Sequence, residues 1–474
     1  MEYEPTIGLE IHVELKTKTK MFCNSLNDSD EKHPNVNVCP VCMGHPGTLP
    51  VINKEAVRKV LLVGKALNGK LAEYSQFDRK NYFYPDLPKG YQISQYKYPL
   101  VEGGELNGIK ITRIHLEEDT GKLIHLADGS AVDFNRAGVP LMELVTEPEI
   151  KNGEEAKKFA QELQLILRYL YVSDADMEKG QMRVEVNISI RKSSVASSQS
   201  SELGTKVEIK NLNSFRAVER AIDYEIKRQA EILEKGEKVK QETRGWSALG
   251  GENKGETFSQ REKEESHDYR YFPEPDLPPL QLSALSFQLS VPELPQQKRA
   301  RFKNNYGISD EDIEMYVGDN LFGNFFEAVA EKLEGDKEAA RLASNYIASD
   351  LAGFVKVSGL GWPTADGFAK LIMILKERKI SSRGAKDILK IMCEKGGDPE
   401  EIARENDLFQ MSDESAILEL IQGLIKENPS AVEEYKKGKE NSLQFLVGQG
   451  MRETKGRVNP EILKKLLQEK ILRL

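Results

Sequence analysis

The run Thr6–Leu15, TIGLEIHVEL, alternates Ile7, Leu9, Ile11, Val13 and Leu15 with Gly8, Glu10, His12 and Glu14. Successive side chains of a β-strand point to opposite faces, so the apolar set anchors one side while two carboxylates flanking an imidazole line the other. The arrangement recurs. In RVEVNISIR, Val184, Val186, Ile188 and Ile190 oppose Arg183, Glu185, Asn187, Ser189 and Arg191, and in KVEIKN, Glu208 and Lys210 oppose Val207 and Ile209. A sheet with one solvated face reads this way, and so does a sheet whose polar face is a reaction site. These outer faces mix acid, amide and base, unlike the Thr and Lys of a surface that is merely wet.

Between these strands, ITRIHLEEDTGKLIH gathers His115, Glu117, Glu118, Asp119 and Lys122. Acids this close repel one another unless they are solvated or bind a cation, and an oxygen-rich cluster with one imidazole suits Mg²⁺ or Mn²⁺. That reading strengthens if the segment neighbours the first strand. A further acid, Glu143, sits in DFNRAGVPLMELVTEP, where Gly138 and Pro140 demand a specific turn before Leu141 and Leu144. Cys23 and the CPVC at 39–42 have a spacing suited to zinc; a closed structural site takes four ligands, and His33 or His45 could join Cys23, Cys39 and Cys42. GKALNGKL at 64–71 matches a phosphate-cradling loop in its glycines and lysine but ends in Leu71 and follows a helical pattern, so it reads as a helix end. The stretch 79–98 interleaves Arg79, Lys80, Lys89 and Lys97 with Tyr82, Phe83, Tyr84, Tyr91, Tyr96 and Tyr98. Bases stack on such rings while cations hold phosphates; a Tyr-rich turn packed on its own domain has the same composition.

The elements that must position these groups follow from length and pattern. A chain of 474 residues divides into roughly three domains at about 150 residues each. With 39% hydrophobic and 30% charged residues it is globular, and a net charge of −9 excludes bulk attraction to nucleic acid, so polynucleotide contact must be local. Four cysteines are too few for a disulfide framework, and the N-terminal run has no basic segment followed by an apolar one, which points to the cytoplasm and away from export or a membrane. To about residue 272, period-2 runs mix with two marked helices. Six prolines from Pro273 to Pro295 then read as a semi-rigid linker. Helical patterns follow at 310–333, 337–357, 366–379 and 383–395, with a second helical block at 411–474 whose last helix has Asn459 as N-cap and Pro460 at N1. The fold class is therefore α+β: a large antiparallel-sheet cradle domain (1–292), an all-helical domain (293–405) and a helical C-terminal tail domain (406–474). Residues 426–474 hold eleven Lys and Arg against seven Glu and no Asp, which fits a solvated helix face or a module that touches phosphates. The charged run 252–268 reads as a mobile excursion, and Ser193–Ser201 as a hairpin tip.

The strings IGLEIHVEL, FDRKNYFYPDLPKGYQISQY, RIHLEEDTGK, DFNRAGVPLMELVTEP, KVEIKNLNSF and HDYRYFPEPDLPP, in this order, resemble the B-subunit family of bacterial aspartyl/glutamyl-tRNA amidotransferases. FLVGQGMRETKGRVNPEIL resembles that family's C-terminal tail. The resemblance implies a cytoplasmic heterotrimer with an amidase A subunit and a small C subunit. ATP phosphorylates the side-chain carboxylate of a mischarged Glu-tRNA(Gln) or Asp-tRNA(Asn), and ammonia released from glutamine in the A subunit displaces phosphate. It further implies a kinase-like site in the cradle, with Mg²⁺ held by Glu10, His12, Glu118 and Glu143. Arg183, Glu185 and Lys210 would work beside them, the two cations balancing developing charge. Lys80, Lys89, Tyr82 and Tyr84 would line an ammonia passage, and the tail, through Lys455, Arg457, Lys464 and Lys465, would contact tRNA. The chain departs from the family at Asn24-Ser25, where a fourth cysteine is expected, and at Glu185, where an aspartate is usual. No Ser-Ser-Lys amidase constellation is visible, so glutamine hydrolysis falls to a partner. A tRNA-binding scaffold without chemistry, and a free-standing small-molecule kinase, are the competing readings.

Overall fold

The computed structural model describes residues 3–28, 30–192, 203–248, 255–262, 269–283, 289–410, 414–454 and 456–473. The chain divides into two compact units, Met1–Pro295 and Gln296–Leu474. No helix among the described residues is long and apolar enough to cross a membrane.

Among the described residues, the first unit is built on a ten-stranded sheet. Its principal strands are β1 (Tyr3–Glu14), β4 (Ile109–Glu118), β5 (Pro140–Thr146), β6 (Met182–Lys192), β7 (Val207–Leu212), β8 (Glu242–Ser247) and β9 (Glu256–Glu262). The two short strands β2 (Asp78–Asn81) and β3 (Tyr91–Ser94) form a separate hairpin with Phe272–Pro273. In space the order is β9-β8-β7-β6-β1-β5-β4, continued by the short strands 101–102 and 70–71. All these pairs are antiparallel except β7–β8, which is parallel.

Period-2 alternation decides which face is buried. Ile7, Leu9, Ile11 and Val13 of β1, with Val184, Val186 and Ile188 of β6, are at most 1% exposed. They share one core with helices α1 (Lys54–Ala66), α2 (Gly153–Tyr169) and α3 (Phe215–Glu234), through Val60, Phe159, Leu163, Val218 and Ile222. Each such side chain contributes about 1.5–3 kcal/mol by leaving water. Asn53, Asn152 and Ser214 cap the three helices by accepting from backbone N–H groups of the first turn. α1 ends at Ala66, so residues 64–71 are a helix end, as their sequence indicates. At Gly153 a Cβ would lie 2.4 Å from the Glu219 carbonyl, so α2 meets α3 at a distance only glycine allows. With the helices on the apolar face, the sheet's other face is left to the polar residues.

The charged run expected to be an excursion is in part a strand. β9 pairs with β8, and Thr257 is buried, its hydroxyl accepting from Arg244 Nε at 2.8 Å and donating to Glu225 Oε2 at 3.0 Å. Its charged neighbours disguised a segment whose inward residue is fixed by hydrogen bonds. Residues 249–254, 263–268 and the serine-rich run lie outside the described residues.

The second unit is helical: α4 (Pro295–Tyr306), α5 (Asp310–Gly318), α6 (Asn320–Lys332), α7 (Lys337–Tyr346), α8 (Ala365–Lys376), α9 (Ser382–Lys395) and α10 (Pro399–Glu405) precede α11 (Glu414–Glu427), α12 (Pro429–Lys436), α13 (Glu440–Glu453) and α14 (Pro460–Leu472). The pattern read as one helix over 310–333 is two, because Asp319 turns extended and its carboxylate caps the Leu321 N–H. The segment 337–357 is α-helical only to Tyr346 and continues in π-type turns to Val357. Ile421, Leu424, Leu446, Leu463, Leu467 and Ile471 of α11, α13 and α14 form an apolar cluster of their own.

Candidate active site

Strand register assembles the polar face. His12 stands opposite Glu143 on one side and Arg183 on the other, and Glu143 in turn stands opposite His115, so His115–Glu143–His12–Arg183 forms one row across β4, β5, β1 and β6. One pair further along β1, Glu10 faces Glu185, and Asn187 faces Glu208.

Two acid groups result. In the first, Glu143 Oε2 is 3.3 Å from both His12 Nε2 and His115 Nε2, and Glu117 Oε1 is 3.8 Å from His12 Nε2. Ligand atoms of His12, Glu117 and Glu143 all lie within 4.8 Å of one another. In the second, Glu10, Glu185 and Glu208 converge as closely. Asn187 donates to Glu10 at 2.7 Å, Thr243 to Glu208 at 2.7 Å, and Lys210 Nζ is 2.9 Å from Glu185. Burial raises the Glu10 carboxyl, and repulsion from Glu143, Glu185 and Glu208 raises it further. Burial works against the His12 imidazolium, but its hydrogen bond to Glu143 and the charges of Glu143, Glu185 and Glu117 lift it to about 9. Burial likewise disfavours the Glu143 carboxylate, yet His115 and His12 hold it well below the usual range.

Glu117 Oε2, His12 Nδ1 and His115 Nδ1 are buried without a hydrogen-bond partner among the described residues. A carboxylate oxygen orphaned beside a second carboxylate and an imidazole fits a divalent cation, with one imidazole and oxygens in the first group and oxygens alone in the second, the donor set of Mg²⁺ or Mn²⁺.

The expected set of Glu10, His12, Glu118 and Glu143 does not form one group: Glu10 belongs to the second, with Glu185 and Glu208. Glu118 does not join the first group; Glu117 takes that place. In β4 the face of His115 is that of Glu117, and Glu118 points away, accepting from Lys89 Nζ and, at 3.0 Å, from the Ile93 N–H. Glu10, His12, Arg183, Glu185 and Lys210 do line a common cleft of about 920 Å³. Arg183 is tied to Asp119, whose oxygens are 3.1 and 3.2 Å away, and Asp119 also holds Arg136 at 2.8 Å. Lys80, Tyr82 and Tyr84 line the cleft, with Tyr269 and Tyr271 as further walls. Lys89 does not: it borders a smaller cavity of about 200 Å³ beside Cys23, Cys42 and Glu118. Glu208, whose place on the polar strand face its alternation with Val207 and Ile209 signalled, belongs to the second group, a role the sequence did not assign it.

Around the smaller cavity, Cys23, Cys39 and Cys42 lie within 4.8 Å of one another. His33 is exposed and paired with Glu31, and His45 borders the cavity without entering the cluster. The buried Lys20 puts its ammonium 3.8 Å from Cys42 Sγ and donates to the Phe134 carbonyl at 3.3 Å. A closed zinc site takes four protein donors, so these residues do not complete one. A hydrogen bond from Cys23, against the effect of burial, with the Cys39 N–H and Lys20, brings the Cys42 thiol down to about 4.

Comparison with known proteins decides the family. Residues 5–288 match the family model described as the GatB/GatE catalytic domain, and residues 324–471 match the GatB domain. The chain belongs to the GatB/GatE family. It is 45% identical to the B subunit of the aspartyl/glutamyl-tRNA(Asn/Gln) amidotransferase from Caldicellulosiruptor saccharolyticus and 44% identical to that from Crocosphaera subtropica, over 99% of this chain and 99% and 97% of theirs. The protein of the same name from Caldanaerobacter subterraneus is 45% identical over 99% of this chain and all of its own length. The GatB/GatE catalytic match spans both acid groups and the aromatic walls of the cleft.

Proposed function

We propose that this chain is the B subunit of a tRNA-dependent amidotransferase, and that its cleft activates the side-chain carboxylate of Glu-tRNA(Gln), Asp-tRNA(Asn) or both with ATP before amidation. The observation that carries the reading is the pair of acid groups, His12/Glu117/Glu143 and Glu10/Glu185/Glu208, on one sheet face within one cleft. A side-chain carboxylate is already ionised at neutral pH, so its phosphorylation depends on position and on offsetting triphosphate charge, not on a strong base.

Mg²⁺ would be held by His12, Glu117 and Glu143, with a second ion at Glu10, Glu185 and Glu208; when bound, such ions neutralise and orient transferring phosphoryl oxygens. Asn187 and Thr243 keep two of the carboxylates aimed, and Lys210 keeps Glu185 ionised. Gln92 joins the ammonia side to the cleft: it accepts from Tyr82 at 3.0 Å and donates to the Glu118 carbonyl at 2.6 Å, beside the Lys89–Glu118 pair. Tyr82, Tyr84 and Lys89 are proposed to border the ammonia route, which starts in a separate glutaminase A subunit held together with a small C subunit. The domains are proposed at 1–292, 293–405 and 406–474, with Arg457, Lys464 and Lys465 of the last touching tRNA phosphates. Lys455 lies outside the described residues.

The test is Glu10→Gln in the assembled complex, with glutaminase and tRNA-dependent ATP cleavage assayed separately. The reading expects glutaminase to persist and ATP cleavage to fall by about 10²-fold or more. Full ATP cleavage would assign this chain a scaffold role.

A further inference from the structure

Most cations facing the cleft are already engaged. Arg183 is bound by Asp119, Lys210 by Glu185, and Lys206 also has a partner. Lys80 and Arg113 differ: both line the cleft, and among the described residues neither has a carboxylate within 4.0 Å. The Lys80 ammonium lies 5.1 Å from the Tyr269 ring centroid and 6.0 Å from that of Tyr82, and the Glu117 and Glu143 charges act on it from beyond ion-pair distance. Arg113 sits on β4 two residues before His115, and its Nε is buried with no hydrogen-bond partner. A guanidinium nitrogen left unpaired in a buried place costs free energy unless an acceptor arrives.

We propose that Lys80 and Arg113 are catalytic residues that seat the transferring phosphoryl group, binding its non-bridging oxygens beside the first acid group. The proposal rests on the kinase reading of this cleft. A carboxylate oxygen of the aminoacyl side chain forms a bond to the γ-phosphorus as the bond from that phosphorus to the β,γ-bridging oxygen breaks, and ADP leaves with the electron pair. Ammonia then forms a bond to the acyl carbon, the carbon–oxygen bond to phosphate breaks, inorganic phosphate leaves, and the nitrogen loses one proton to the phosphate or to solvent. Both steps keep the same phosphoryl oxygens between the cations. Lys80 therefore belongs to the activation chemistry and not to the wall of the ammonia route, and Arg113, which no motif singles out, belongs with it.

Lys80→Met, Lys80→Arg, Arg113→Met and Arg113→Lys are to be compared in the full complex. Glutaminase activity reports assembly, ADP formation at saturating mischarged tRNA reports activation, and amidation is driven by glutamine or by ammonium chloride. Each Met variant is expected to lose about 10²–10³-fold in kcat for tRNA-dependent ADP formation, with amidation falling equally from both nitrogen donors. The charge-retaining variants should recover part of it. ADP formation within a few-fold of wild type overturns the proposal, whether glutamine-driven amidation alone is lost, as a passage role requires, or only tRNA affinity drops, as contact with tRNA phosphates requires. If a Met variant does not assemble, Lys80→Gln or Arg113→Gln is read in its place. Wild-type complex without tRNA-dependent ADP formation would fail the kinase reading itself; wild-type activity with unaffected variants fails only the assignment of these two cations.

Discussion

Glu117 and Glu118 are consecutive on one strand yet serve different cavities: Glu117 converges with His12 and Glu143 in the large cleft, while Glu118 is locked to Lys89 beside the thiol cluster. Strand alternation alone separates them. Their substitutions should therefore fail in different ways. Glu117→Gln is expected to keep the wild-type melting temperature and lose about 10²-fold or more in tRNA-dependent ATP cleavage. Glu118→Gln leaves the half-buried Lys89 short of its counter-charge, and is expected to lower the melting temperature by less than the loss of a fully buried pair, which costs about 3–5 kcal/mol. Thermal melts and ATP cleavage measured on the same preparations check both.

A cation fitted to the first acid group stabilises the folded state by mass action, by about 2.7 kcal/mol when its concentration is a hundred times its dissociation constant. Mn²⁺ is the convenient probe because its binding can be followed by its own paramagnetic signal. Wild type should bind Mn²⁺ with a rise in melting temperature that EDTA reverses, while His12→Ala combined with Glu143→Ala should lose the rise. An equal rise in both proteins would place the ion elsewhere.

How far the site was legible depends on whether a signal is local. The two faces of β1 were readable because Ile7 to Leu15 alternate without interruption, and the same rule applied from His115 would have selected Glu117 over Glu118. Glu208 was readable as a cleft-facing acid but not as a neighbour of Glu10, because β7 and β1 meet through β6, a register set by contacts far apart in sequence. Likewise β5 enters between β1 and β4, which is why His115 and His12 meet across Glu143. Arg113 escaped notice since an isolated arginine in ITRIHL has no spacing signature; its unpaired Nε is a property of packing. The break at Asp319 was readable as an N-cap, but the apolar period runs through it and hides the stop.

Thiol chemistry should separate Cys42 from Cys393. The Cys23 hydrogen bond, the Cys39 N–H and Lys20 bring Cys42 down to about 4, whereas burial on α9 pushes Cys393 up to about 11. Because the folded thiol of Cys393 holds its proton above the ordinary value, its contribution to stability is intact below about pH 8.5 and is lost as pH climbs towards 11. Iodoacetamide at pH 7.5, followed by mass spectrometry, should label the Cys23–Cys42 cluster while sparing Cys393. Modification of Cys393 first would contradict its burial.

Gly153 tests the scaffold behind the cleft. An alanine methyl there would lie 2.4 Å from the Glu219 carbonyl, so α2 and α3 must move apart. Overpacking of this kind costs about 1–3 kcal/mol. Since α3 packs on β6 and β7, which carry Glu185 and Glu208, Gly153→Ala should lower the melting temperature and weaken ion binding at the second acid group more than at the first. A variant as stable as wild type would mean the helices separate without cost.

The tail supplies a prediction in salt dependence. Lys464 and Lys465 are exposed on α14, whereas Arg457 is partly buried with its Nε donating to the Thr454 carbonyl at 3.2 Å. A lysine that neutralises a phosphate releases counterions, so its removal reduces the slope of log affinity against log salt by about 1. Lys464→Ala with Lys465→Ala in the full complex should thus flatten the slope for mischarged tRNA by about 2, while ATP cleavage at saturating tRNA is unchanged. Arg457→Ala should flatten it less, its guanidinium being already engaged at one nitrogen. If the double variant keeps the wild-type slope, the positive excess of residues 426–474 is a solvated helix face, and the tRNA body is held elsewhere on the chain.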